Sequence, residues 1–163
     1  MTGACSFDLV WSREGRAEIF EKMKKEGVLK YMMYHKVHPA LEDWLTMTEP
    51  GDEVDVYKMY WHGEWCGIFY LSPGFNRTPL FHYVMWKPYR KHARSVCCAA
   101  TEYVFSMYEI PAVMGLTPFK HMLPLMHACE WEVLGVVPGA CVAAGSDGEE
   151  QVMDGVISVK RRD

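Results

Sequence analysis

Three strand-type runs in immediate succession, residues 54–61, 64–72 and 79–86, lead through Pro88 into a long helical pattern over 91–108, and this ordering constrains the chain more than any other feature. His62-Gly63 between the first two runs is a two-residue hairpin signal, and Pro73-Gly74 is expected to close the second strand. Pro88 ends the third run. The helix behind it carries Val96, Ala99, Ala100, Tyr103, Val104 and Met107 on one apolar face, so it must pack against the sheet and reverse the chain.

The rest of the chain completes the same plan. Residues 6–11 read as a strand, and 13–26 as a helix with Ile19, Phe20 and Met23 at helical spacing, ended by Gly27. A second short helix is expected over 38–45 with Pro39 in its first turn, followed by a loop at 46–52 containing Pro50-Gly51. After Pro111, residues 112–116 form a brief apolar run. Residues 119–129 are helical in pattern but interrupted by Pro124. Two strands, 131–142 and 152–160, finish the chain around the turn Gly145-Ser146-Asp147-Gly148. The order β-α-α-β-β-β-α-β-α-β-β predicts one α/β (α+β) domain over residues 1–163, a mixed and mostly antiparallel sheet with helices on both faces.

Composition narrows the function classes. Across 163 residues the net charge is −4, which lacks the positive field of a general nucleic-acid binder. Apolar stretches are interrupted well before the about 18 residues of a membrane span. Six cysteines, Cys5, Cys66, Cys97, Cys98, Cys129 and Cys141, form no CxxC pair; with no signal peptide pattern they read as buried thiols of a cytoplasmic protein, and no metal site is expected. Six tryptophans, nine tyrosines, seven phenylalanines and 12 methionines suit an irregular core or a ligand crevice.

The segment from Trp86 to Ser95, Trp-Lys-Pro-Tyr-Arg-Lys-His-Ala-Arg-Ser, places basic and small residues at a helix start. The first turn of a helix leaves backbone N–H groups unpartnered and carries partial positive charge, so an anion is welcome there. Arg90, Lys91 and Arg94 would add charge, and Ala93 and Ser95 would let a phosphate approach the backbone. The same pattern also describes an ordinary solvated basic helix start, although cations at an N-terminus oppose the helix dipole.

Here the sequence resembles the GNAT acyltransferase superfamily, in particular its small phage-encoded members. Their diphosphate loop, R/Q-x-x-G-x-G/A, corresponds to Arg90-Lys91-His92-Ala93-Arg94-Ser95, with both glycines replaced; the later Gly-Phe corresponds to Glu130-Trp131, and residues 154–159 resemble the closing strand. The resemblance covers residue 54 to the C-terminus. It implies acetyl-CoA as cosubstrate, with its pantetheine arm along residues 83–87, Met85, Trp86 and Lys87 among them, its diphosphate on the backbone amides of 91–95, Arg90, Lys91, His92, Ala93, Arg94 and Ser95 around it, and the thioester between the ends of the 81–86 and 112–117 strands. His82 is then the expected base, with Tyr83 beside it and Glu53 or Asp55 as substitutes; a half-buried histidine bonded to a neighbour is the plainer reading of His82. The family's Tyr acid falls on Met126 and its Asn near Phe119, with His127 as a substitute acid only if Pro124 turns the helix.

Two functions follow. One is an N-acetyltransferase acting on an amine of a protein or small molecule; the other is a non-catalytic phage protein of this fold in virion assembly or host interaction, located in the host cytoplasm, as a homodimer or with a virion or host partner. A Cys97 or Cys98 nucleophile is a third reading, weakened because both lie some two turns into the helix, where the dipole effect has faded.

Overall fold

His62 and Gly63 both hold positive φ, 50° and 83°, the backbone twist that matches a two-residue hairpin to its strands. They join β2 (Asp55–Trp61) to β3 (Glu64–Phe75), with Trp61 opposite Glu64. The computed structural model describes residues 4–51 and 53–163. The expected 46–52 turn ends on Asp52, which lies outside the described residues. Pro73-Gly74 does not close β3. The strand runs on to Phe75 through an irregularity between Ser72 and Phe75, where a proline lacking an N–H is tolerated, and the reversal into β4 (Thr78–Met85) falls at Asn76, with φ 50°.

Before the hairpin, β1 (Cys5–Leu9) pairs antiparallel with β2, and α1 (Arg13–Lys25) starts where the Ser12 hydroxyl accepts the Gly15 N–H at 3.0 Å. A four-residue helix, α2 (Leu29–Met32), was not expected. It is too short to show a period in sequence, and the Met33 N–H to Leu29 carbonyl bond at 2.9 Å defines it. The next helix, α3 (Leu41–Met47), begins later than 38–45. The Asp43 carboxylate accepts the Ala40 N–H at 2.7 Å, which makes Ala40 the cap and leaves Pro39 outside the first turn.

Beyond β4 a 3₁₀ turn, Lys87–His92, runs directly into α4 (Ala93–Met107). Then come β5 (Ala112–Thr117), a second 3₁₀ turn (Lys120–Met122), α5 (Leu123–Ala128) with Pro124 in its first turn, β6 (Glu132–Ala144) and β7 (Glu150–Arg161). Pro124 therefore shortens this helix at its start rather than kinking it, because a first-turn N–H has no partner to lose.

The seven strands form one sheet, β1-β2-β3-β4-β5-β7-β6. Alternation along β3 divides the core: Ile68 and Tyr70 face α1 to α3 with Val56, Val84 and Trp86, whereas Phe69 and Leu71 face α4 with Phe81, Met85 and Val104. Among the described residues no helix is long and apolar enough to cross a membrane.

One pairing departs from the rest. β4 and β5 are parallel and share a single bridge, Leu80 opposite Met114, while every other neighbouring pair is antiparallel and zipped along several residues. Past Leu80 the two central strands diverge, and the gap they leave positions the site.

Candidate functional site

Register along β3 decides what β4 presents to the gap. Trp86 donates its N–H to the Cys66 carbonyl at 2.9 Å, and the pairs Gly67–Met85 to Ser72–Leu80 keep one register. With a period of two, Trp86, Val84 and His82 direct their backbone groups at β3, whereas Met85, Tyr83 and Phe81 direct theirs toward the diverging side. An extended ligand chain laid in the gap therefore meets backbone donors and acceptors at Tyr83 and Met85.

Two adjoining cavities fill the divergence. The inner one, about 620 Å³ and open to solvent, lies between His82 on β4, Gly115 and Thr117 on β5, Met126 on α5, and Tyr34. None of its lining residues carries a formal charge unless His82 is protonated. The outer one, about 650 Å³, is bounded by Tyr83, Met85, Arg90, Ala93, His121 and Leu125, with Arg90 contributing a guanidinium. Tyr31 lies at the junction, its ring 4.9 Å from Phe119 and 5.6 Å from His121.

His82 is the half-buried, neighbour-bonded histidine of the plainer reading. Its ring stacks on Tyr70 at 4.1 Å, its Nδ1 lies 3.1 Å from the Tyr34 hydroxyl and its Nε2 lies 2.9 Å from the Ser72 hydroxyl. Burial, with a smaller effect from His35, drives its pKa down to about 3, so the imidazole is neutral at physiological pH and both nitrogens are already bonded. The expectation of a free, near-neutral base at His82 is corrected accordingly. Tyr83 is also reassigned. Its hydroxyl donates to the Ala93 carbonyl at 3.0 Å and burial raises its pKa, so the side chain ties β4 to the start of α4 while its ring edges the cleft.

The basic junction is wound tighter than expected. The 3₁₀ turn begins the helix at Lys87 rather than 91, and the Ala93 N–H donates to the Arg90 carbonyl. The Ala93 amide, within the 91–95 set expected to receive the diphosphate, is therefore already bonded inside the turn. Helical winding continued because neither loop glycine of the resembling family stands here to open it. The Lys87 N–H faces the Glu26 carboxylate at 3.4 Å. Arg90 and Ala93 border the outer cavity; Lys91 and Ser95 are exposed. His92 stacks on Trp61 at 4.7 Å, Arg94 borders a separate cavity with Cys98 and Cys129, and the Trp86 side chain, 1% exposed, packs toward Trp65 and α1.

The substitutes stand elsewhere. The Asp55 carboxylate accepts the Tyr108 hydroxyl on the far side of β2, and Glu53 and His127 are exposed. Met126 reaches the inner cavity and so puts a thioether where the family's acid is expected. Cys97 is buried, with its pKa raised by the neighbouring Cys129 thiol and by burial, which removes it as a nucleophile. Sequence reasoning missed Tyr31, Tyr34 and Thr117. The aromatic run Tyr31-Met32-Met33-Tyr34 was a visible signal, but no period assigned it to a face.

This architecture, with a mixed sheet split between two parallel central strands, is the fold of the GNAT acetyltransferases. A spermidine N-acetyltransferase from Vibrio cholerae, solved with CoA and spermine, superposes with a TM-score of 0.75 at 10% identity, covering 97% of this chain and 95% of that one. An aminoglycoside acetyltransferase in complex with coenzyme A gives 0.71 at 14% identity, over 98% and 95%. An acetyl transferase from Salmonella typhimurium that modifies the N-terminal serine of a 50S ribosomal subunit protein gives 0.73 at 9% identity, over 98% and 96%. No protein-family model matches the chain, and no curated protein matches it by sequence.

Proposed function

We propose that the chain is an N-acyltransferase that takes an acyl group, acetyl in the simplest case, from acyl-CoA to an amine. The observation that carries this reading is the single Leu80–Met114 bridge, which leaves the backbone of Tyr83 and Met85 facing a cavity instead of a strand. The pantetheine amides pair with those groups, the diphosphate lies toward Arg90, and the thioester reaches the inner cavity beside Tyr34 and Thr117. The similar structures support the same chemistry, because two of those acetyltransferases were solved with CoA.

Transfer forms a C–N bond, breaks the C–S bond and frees one proton from the attacking amine. The relay Tyr34–His82–Ser72 handles that proton without ever charging His82. The Tyr34 oxygen takes the proton while its own moves to Nδ1, and the Nε2 proton moves on to Ser72, whose own hydroxyl proton passes to the solvent that its partial exposure admits. The imidazole changes tautomer and stays neutral, so its low pKa is compatible with the role. Met126 offers no proton to the leaving thiolate, which therefore departs as the anion or draws its proton from water.

Calorimetric titration with acetyl-CoA, followed by a thiol-release assay against a panel of amines, tests the proposal. Binding with turnover supports it. Binding without turnover on any amine leaves a CoA-binding protein, as the thioether at Met126 would favour, and the absence of binding removes both readings.

A further inference from the structure

Three of the six cysteines converge on one place outside the cleft. Cys97 and Cys98 are neighbours on α4, and Cys129 caps α5, where its thiol in neutral form donates to the Arg94 carbonyl at 3.7 Å. Cys98 and Cys129 line a cavity of about 620 Å³, rimmed by the cations Arg94, Lys160 and Arg161 and the carboxylates Glu102, Glu130 and Asp163. Cys97 lines the inner cavity of the acyl cleft and does not border this one. Among the described residues no group of three or more His, Cys, Asp or Glu side chains is placed to hold a metal ion.

The three sulfurs are chemically unequal. Hydrogen bonds from Cys97 and Cys98, helped by Arg94 and Lys160, lower the Cys129 pKa to about 6 against the opposing effect of burial. Burial raises Cys98 to about 11, and Cys97 is raised as well. Cys129 is thus the sulfur that the cluster favours as the thiolate, while Cys97 and Cys98 are held toward the protonated form. Cys98 and not Cys97 shares the solvent-reaching cavity with it, so Cys98 can follow a reaction at Cys129.

We propose that Cys129 and Cys98 form a peroxide-reactive pair that closes to a disulfide. The Cys129 sulfur attacks one oxygen of hydrogen peroxide and the O–O bond breaks, which leaves a sulfenic acid and a hydroxide that becomes water with the displaced proton. The Cys98 sulfur then attacks the Cys129 sulfur; an S–S bond forms, and the sulfenic hydroxyl leaves as water with the Cys98 proton. One peroxide is reduced to two waters and two thiols are oxidised to one disulfide. The bond would tether the end of α5, whose Leu125 and Met126 wall the acyl cleft, to α4.

The test is peroxide treatment of the folded chain at a few equivalents, then tryptic mapping without reductant. The expected product joins the peptide holding Cys98 to the one holding Cys129, reverses with dithiothreitol, persists in Cys97→Ser and vanishes in Cys98→Ser. Survival of the link in Cys98→Ser, or sulfinic acid at Cys129 with no link in the wild type, overturns the proposal. A brief iodoacetamide pulse on the native wild type needs no variant: half-exposed Cys98 should be labelled at least tenfold ahead of buried Cys66 and Cys141, and equal labelling overturns it. Neither readout depends on acyl transfer.

Discussion

His82, half-buried as a neutral base between Tyr70, Tyr34 and Ser72, has a measurable thermodynamic consequence. In the unfolded chain its pKa is the ordinary value of about 6.5, and in the folded chain it falls to about 3. A histidine whose folded pKa is depressed contributes no penalty above pH 6.5. Stability is lost as pH falls from there toward 3, because the unfolded state takes up a proton that the native state refuses. Linkage sets the loss at about 1.4 kcal/mol per pH unit in that window, which comes to about 2 kcal/mol at pH 5 and about 0.1 at pH 7.5. Urea unfolding of the wild type and of His82→Gln, followed by tryptophan fluorescence at both pH values, isolates this contribution, since carboxylates and the also-depressed His35 titrate in both proteins. The wild type should lose about 2 kcal/mol more than the variant between pH 7.5 and 5. Equal losses within about 0.5 kcal/mol would refute the buried neutral state, and with it the argument that proton transfer must run through Tyr34.

Three further outcomes are expected. Tyr34→Phe removes the relay hydroxyl and should lower kcat by about 100-fold, within the range of general acid–base contributions, with acetyl-CoA affinity unchanged by calorimetry; unaltered kcat would eliminate the relay. Arg90→Ala should weaken acetyl-CoA binding by about tenfold, the scale of one charge-assisted contact, whereas His92→Ala, stacked on Trp61, should leave affinity as it was; the reverse ranking would place the diphosphate elsewhere. Gly67→Ala would put a Cβ 2.3 Å from the Val84 carbonyl and 3.0 Å from the Met85 Cα, backbone atoms that cannot step aside. Overpacking of this kind should cost about 3 kcal/mol, and a urea midpoint unchanged from wild type would contradict the close approach of β3 and β4.

Much of the fold was legible because it is local. Positive φ at His62-Gly63, the Ser12 cap, the apolar face of α4 and the Gly145–Gly148 reversal all arise within a few residues, and the element order follows from them. Boundaries moved where a side chain reached backbone or a proline found a bulge, as Asp43 did at α3 and Pro73 in β3. The basic junction at Arg90 was legible as chemistry, but its winding was not, since whether amides 91–95 stand free depends on how the turn from Lys87 closes.

The sequence by itself determined the order of the strands and the longer helices and that a charged junction follows the fourth strand. Tertiary structure alone decided that β4 and β5 touch at one bridge, that Tyr34 meets His82 across 48 residues and that Cys129 meets α4. Propensity and capping act over a turn or a hairpin, whereas a cleft, a depressed imidazole pKa and a thiol cluster depend on which distant surfaces are brought together and dried.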